Sequence, residues 1–262
     1  MKYLVDHDYH IHTHLSSCCY DKEMTVENVS KVALQHGYKQ AIITNHVWDS
    51  IIGNAPEWYL WQNYEHIKQE EKEIRLSNNL LFGAEAEFSY EKILTMDKSR
   101  FDELEFLIVP LNHLHMKDII FFGDPDNIND YTNALMDRID TFSKMDLPWK
   151  KIGVAHLTWN FNSKFTIEEL LSNCDMDIFA QAFKRIADNG GGIELNSGCF
   201  VQDNPSKKEF ELYALAKKQG CKFYLGSDAH SLETFKQAPK KFEYIVDYLN
   251  LTEDDKFVIE KK

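Results

Sequence analysis

The stretch Asp8-Tyr9-His10-Ile11-His12-Thr13 follows an apolar, β-prone run that begins at Tyr3. Alternate residues of an extended chain share a face. The spacing of two therefore sets His10 and His12 on one side of the segment, with Asp8 on the same side and His7 toward the other. We read a strand near Tyr3–Tyr9 that delivers these side chains at its carboxyl end. Six more short β-prone segments follow, near Gln40–Thr44, Leu80–Glu87, Glu105–Leu111, Ile152–Ala155, Gly192–Leu195 and Lys222–Gly226. Each ends on, or just before, a group able to bind metal or orient a ligand. These groups are His46, Glu85, His113, His156, the pair Glu194 and Asn196, and the pair Asp228 and His230.

Helical patterns lie between the strands. One starts after Thr25, a suitable N-cap, and ends near His36-Gly37, where glycine suits the C-cap. Others fit Glu57–Leu76, Ile128–Lys144, Ile167–Ser172, Met176–Asp188 and Lys207–Gln219. Strand and helix alternate over the whole chain, which argues for a parallel sheet with helical crossovers. No linker rich in Gly, Ser or Pro interrupts the pattern. The expectation is one domain over residues 1–262, a closed or nearly closed α/β barrel of seven strand–helix units. In such barrels the active site lies at the carboxyl ends of the strands, which is where the polar groups fall.

The composition agrees. The chain has 262 residues, is 44% hydrophobic and 27% charged, and carries a formal net charge of −13. That charge disfavours a surface for long nucleic acids, which needs basic patches. The five cysteines are odd in number and not spaced as a disulfide framework, so a reducing, cytoplasmic setting is expected. No apolar run approaches the ~18 residues of a membrane span, and no membrane partner is expected.

Imidazole and carboxylate together suit zinc, iron or manganese better than magnesium or calcium. The candidate ligands outnumber what one tetrahedral ion takes. Two or three divalent ions are therefore expected, with Glu85 able to bridge two of them. A lone His-x-His, or Asp-Ala-His, is a weak signal in a chain with 11 histidines. Their joint placement at successive strand ends is what gives them weight.

Taken in order, Asp8-Tyr9-His10-Ile11-His12-Thr13, Ile43-Thr44-Asn45-His46, Gly83-Ala84-Glu85, His113, His156 and Ser227-Asp228-Ala229-His230 resemble the PHP family, the polymerase and histidinol phosphatase superfamily. The resemblance spans Asp8 to His230. It implies a distorted seven-stranded (β/α)7 TIM-like barrel with a trinuclear metal site. By position, His10, His12, Glu85 and Asp228 would hold one ion, and Glu85, His113 and His156 a second. His46 and His230 would hold a third, with one more ligand from the loop after His12. That ligand is expected to be Asp21, with Cys18, Cys19 and His14 as alternatives. Asn45 departs from the usual Asp at its position, which weakens the expected third site.

The chemistry this implies is phosphoester hydrolysis through a metal-bound hydroxide, with Glu85, Asp228 and His230 as the catalytic set. Asp228 or a neighbouring His would pass a proton to the leaving group. A phosphomonoesterase of histidinol phosphatase type, acting on a small phosphorylated metabolite, is the first reading. A phosphodiesterase on nucleotides or short nucleic acids is the second, and a non-catalytic metal-binding module the third. The segment Asn196-Ser197-Gly198-Cys199-Phe200 lacks the Arg often found there in histidinol phosphatases, leaving Lys207 or Lys208 as point-charge substitutes. Trp58-Tyr59-Leu60-Trp61 is read as core packing, Trp159 as a candidate substrate wall, and His66 as a solvated helix residue.

Overall fold

The computed structural model describes residues 1–161, 163–200 and 206–259. Its strands are β1 (His7–Ile11), β2 (Gln40–Ile43), β3 (His46–Val47), β4 (Leu80–Ala86), β5 (Phe106–Pro110), β6 (Ile152–Ala155), β7 (Gly192–Asn196) and β8 (Lys222–Gly226). They pair in parallel in the order β1-β2-β4-β5-β6-β7-β8. β3 pairs with β4 through His46 and Glu85, and continues β2 after a break at Thr44-Asn45. Counted as one broken stave, β2 and β3 give the seven-stave barrel expected, and the helices wrap its outside.

Closure between β1 and β8 is irregular. One extra residue lies on β1 between Asp8 and Ile11, against Ala41 to Ile43 on β2. Such a bulge re-aims the side chains beside it. On the β8 side, two side chains of β1 occupy positions a backbone ladder would use. The His7 imidazole accepts from Leu225 N at 3.1 Å, and the Asp8 carboxylate accepts from Ser227 N at 3.0 Å. Backbone pairing resumes only above them, where Asp228 N donates to His10 O and His12 N to Ala229 O.

The barrel interior below the site is filled by Tyr9, Ile42, Phe106, Ile108, Ala155 and Tyr224, capped by Phe257 and Ile259 from the C-terminal segment. A larger apolar layer lies between staves and helices. The helices are α1 (Val26–Gln35), α2 (Tyr64–Ile67), α3 (Glu71–Leu76), α4 (Ile128–Phe142), α5 (Ile167–Ser172), α6 (Met176–Asn189), α7 (Lys207–Lys218) and α8 (Leu232–Tyr248). Thr25 caps α1 by accepting from Asn28 N, as its sequence indicates.

Two expectations need correction, and one element goes beyond them. The first strand lies four residues later at its start than Tyr3–Tyr9, because Tyr3 instead donates its amide to Leu251 O and its hydroxyl to Phe223 O. The expected helix Glu57–Leu76 is broken, since the Asn63 side chain accepts from His66 N and starts a new helix there. The final helix α8 was not anticipated. It carries Pro239 inside, yet Phe235, Ala238, Phe242, Ile245 and Val246 bury a continuous stripe against the barrel. That burial outweighs the backbone bond the proline removes. Among the described residues no helix is long and apolar enough to cross a membrane.

Candidate metal centre

The bulge on β1 turns the His10 ring to the barrel mouth, where His12 joins it. Their Nε2 atoms lie 3.0 Å apart. Glu85 Oε2, at the end of β4, lies 3.3 Å from each of them. Asp228 Oδ1, just past β8, lies 3.3 Å from His10 Nε2 and 3.0 Å from His12 Nε2. Ligand atoms of one tetrahedral ion with bonds of 2.0–2.1 Å sit ~3.3 Å apart. The donor set and its spacing therefore fit a divalent cation.

The other oxygen of Glu85 faces a second group. Oε1 lies 3.2 Å from His156 Nε2 and 4.0 Å from His113 Nε2. Oε2 is also 3.0 Å from His46 Nδ1, a buried atom without a hydrogen bond. His12, His46 and His230 offer ligand atoms within 4.8 Å of one another. Glu85 is thus shared between clusters, as a bridging carboxylate would be.

Electrostatics follow from this crowding. Burial pushes the Glu85 carboxyl up, but the imidazoles around it, hydrogen-bonded His10 and His12 among them, more than offset it and hold the group well below the usual carboxylate range. Asp228 is likewise raised by burial and then held low by His10, His12 and His230. Burial disfavours protonation of His10, yet Glu194, Asp228 and Glu85 drive it above its ordinary value. For His46, burial wins and the imidazole stays neutral, the form that binds metal.

Four of the rings, those of His10, His12, His156 and His230, have a holding partner on the other nitrogen. Glu194 Oε1 lies 2.9 Å from His10 Nδ1, Ser16 Oγ 3.1 Å from His12 Nδ1, and Asn112 Oδ1 3.1 Å from His156 Nδ1. Asp228 O lies 2.8 Å from His230 Nδ1. Such partners fix the tautomer and aim of a metal-binding imidazole. Two of the candidate ligands also have left-handed backbone, His156 at φ 24° and Asp228 at φ 51°. This strain is offset at His156 by Glu194 Oε2, which accepts its N–H at 2.6 Å, and by Asn112 Nδ2, which donates to its carbonyl at 2.7 Å.

Some assignments shift. Asp8, expected beside the ligand rings, instead accepts from Ser227 N and His10 N and ties backbone to backbone. Burial pushes its carboxyl up to about 7 against those hydrogen bonds. Asp21 is not brought to the cluster. Its carboxylate accepts from Glu23 N at 2.9 Å and from Leu232 N at 3.0 Å, at the start of α8. Cys18 Sγ stands in the cluster instead, 2.9 Å from His230 Nε2. Asn45 organises the loop after β1, accepting from Thr13 N and Ser16 Oγ, while buried Glu70 supplies the negative charge beside it. His66 is not simply solvated, for its Nε2 lies 2.9 Å from Leu15 O on that same loop. Lys207 and Lys208 face Glu211 on α7 and do not line the site.

Glu87 is the residue the sequence reading passed over. It is fully buried, and its Oε1 lies 2.6 Å from His113 Nδ1 while accepting the Tyr59 hydroxyl at 2.6 Å. The available signal was its spacing of two from Glu85, which puts both carboxylates on one face of β4. Glu87→Gln keeps the shape and removes the charge. It is expected to weaken metal binding by about tenfold to a hundredfold, read by competition with a chelating indicator. Unchanged affinity would remove Glu87 from the site.

A cavity of about 830 Å³ opens over these groups. Cys18, His46, Glu85, His113, His156, Asp228 and His230 line its floor, with Trp58, His115, Trp159 and Phe161 on its walls. Trp58 is therefore a wall residue rather than core, and Trp159 is one as expected. His115 stacks on Phe161 at 4.6 Å between ring centroids. Among the described lining residues Lys117 is the cation.

No family model and no curated protein matches the chain. Solved structures do resemble it. It is similar to histidinol phosphate phosphatase from Lactococcus lactis, complexed with zinc, L-histidinol and phosphate, at 16% identity and a TM-score of 0.62. The match covers 97% of this chain and 98% of that one. A candidate histidinol phosphatase from Listeria monocytogenes is similar at 12% identity and a TM-score of 0.61, over 90% of this chain and 99% of that one. The fold of this chain is the α/β barrel that those proteins share.

Proposed function

We propose that this protein is a metal-dependent phosphomonoesterase acting on a small phosphorylated metabolite. The observation that carries the reading is the set His10, His12, Glu85 and Asp228, whose donor atoms stand 3.0–3.3 Å apart at the mouth of the barrel. These four would hold one divalent ion, zinc, manganese or iron. Glu85, His113 and His156 would hold a second, and His46 and His230 would contribute to a third. Bound there, such ions lower the pKa of water toward ~7 and neutralise phosphoryl oxygens.

The chain's own part is positional. Glu194 and Asn112 hold His10 and His156 in register. Glu85, Asp228 and His230, the catalytic set, all face the cavity where a phosphate ester would sit. The walls Trp58, Trp159 and Phe161 exclude water around the alcohol portion, and Lys117 adds positive charge at the rim. The likeness to the L. lactis phosphatase, with its zinc and phosphate, supports this choice of reaction. The aromatic walls are the one feature that would also suit a nucleotide base, so a diester belongs in the test.

The protein is stripped with a chelator, reloaded with zinc or manganese, and given L-histidinol phosphate, p-nitrophenyl phosphate and a dinucleotide. Metal-dependent turnover of a monoester is expected. Turnover of the dinucleotide alone would replace this reading with the diesterase. Turnover of none, with metal shown to be bound, would overturn both.

A further inference from the structure

The loop after β1 is fastened on both sides. Ser17 N donates to Gln62 Oε1 at 2.9 Å, His66 holds Leu15 O, and Cys19 N donates to Ser16 O at 2.8 Å. This fixed turn aims Cys18 into the cavity, where its Sγ lies 2.9 Å from His230 Nε2. The loop's other donors are engaged elsewhere. Cys19 Sγ points to His230 O at 3.3 Å, His14 Nδ1 lies 3.1 Å from Met24 O, and both Asp21 oxygens accept backbone N–H groups. A second, separate observation comes from the facing side of the same space. His46 is buried and its Nδ1, 3.0 Å from Glu85 Oε2, makes no hydrogen bond, an unusual state for a polar atom out of water, while His46 and His230 offer ligand atoms within 4.8 Å of each other.

We propose that Cys18 is a metal ligand of this centre, acting as a thiolate with His46 and His230 in a mixed sulfur and nitrogen donor set. The inference rests on the reading of the site as a metal centre. A sulfur at ~2.3 Å and an imidazole nitrogen at 2.0–2.1 Å on one tetrahedral ion lie about 3.5 Å apart. The pair seen here is already inside that reach. Ligation replaces the S–H bond with a sulfur–metal bond and releases the thiol proton to solvent. Thiolate is a soft ligand, so this position favours zinc, iron(II) or cobalt(II) over manganese or magnesium. A carboxylate from the same loop would not discriminate in this way. The centre would then combine one oxygen-and-nitrogen position tolerant of several metals with one selective position that a thiol reagent can disable.

Cobalt(II) substitution tests this directly, because it reports ligand type without turnover. The cobalt-loaded protein is expected to show visible d–d bands and a near-ultraviolet thiolate-to-cobalt charge-transfer band. Cys18→Ser should abolish the charge-transfer band and keep the d–d bands, while Cys19→Ser should leave both. A cobalt protein with d–d bands but no thiolate band, or a band that survives in Cys18→Ser, overturns the proposal and leaves the hydrolase reading standing. Absence of any d–d band overturns both. The unmodified protein gives a second measurement that needs no variant. Zinc should slow alkylation of Cys18 by iodoacetamide, read by peptide mass, by about tenfold or more. Equal alkylation with and without bound zinc would also overturn the assignment.

Discussion

Glu85→Gln is expected to lower kcat/KM for a phosphate monoester by about 10³-fold or more, while the barrel stays folded. The amide has nearly the same shape as the carboxylate, so packing is kept. What is lost is the charge that two clusters share. Oε2 stands 3.3 Å from His10 and His12 and 3.0 Å from His46, and Oε1 stands 3.2 Å from His156. Metal ions contribute several kcal/mol of transition-state stabilisation, and each 1.36 kcal/mol is tenfold in rate. Loss of a shared ligand therefore reaches ~10³ even if one ion remains. Metal content by mass spectrometry should fall together with turnover, and circular dichroism should not change. Wild-type kcat/KM in this variant would sink the bridging role of Glu85 and the proposed centre with it.

Gly226→Ala is expected to destabilise the fold strongly through a single added carbon. A Cβ at this position would sit 1.8 Å from Glu194 Oε1 and 2.8 Å from His10 Cβ. The glycine at the end of β8 thus makes the space in which the Glu194 carboxylate lies. That carboxylate aligns with His10 Nδ1, accepts from Asn196 Nδ2 and, through its second oxygen, accepts His156 N. Displacing it strains a packed interior and strips buried polar groups of partners. Together these cost about 3 kcal/mol, roughly 6–12 °C in melting temperature for a chain of this size. Thermal melts on the chelated protein isolate this effect from metal binding. A midpoint within a degree of wild type would show that Glu194 is not confined as described.

The architecture was legible because strand-helix alternation is a long-range pattern repeated along the chain, and each stave ended on a group with recognisable chemistry. What escaped was local competition. Tyr3-Leu4-Val5 reads as strand, but Tyr3 finds its partners in Leu251 and Phe223 instead. Pro239 masked α8, whose stability comes from the stripe Phe235 to Val246 buried on the barrel. At the site, the histidines were legible and their supports were not. Glu87 and Glu70 matter through partners distant in sequence, His113 and Thr13, and no spacing rule reports that. Asp21 looked the better ligand by charge. Only the path of the loop shows that its oxygens accept backbone N–H groups at Glu23 and Leu232 and that Cys18 takes the inward position.

The irregular join between β1 and β8 carries a further meaning for the whole molecule. His10 and His12 belong to its first stave, and Asp228 and His230 follow its last. Below them the two staves meet through His7 and Asp8 side chains rather than through a continuous ladder. A cation bound by groups from both staves would fasten the ends of the chain's sheet to each other, like a clasp closing a ring. Filling the site would then tighten a join that the backbone alone makes only in part, and the metal supply would govern how firmly the ring stays shut as well as whether it can act.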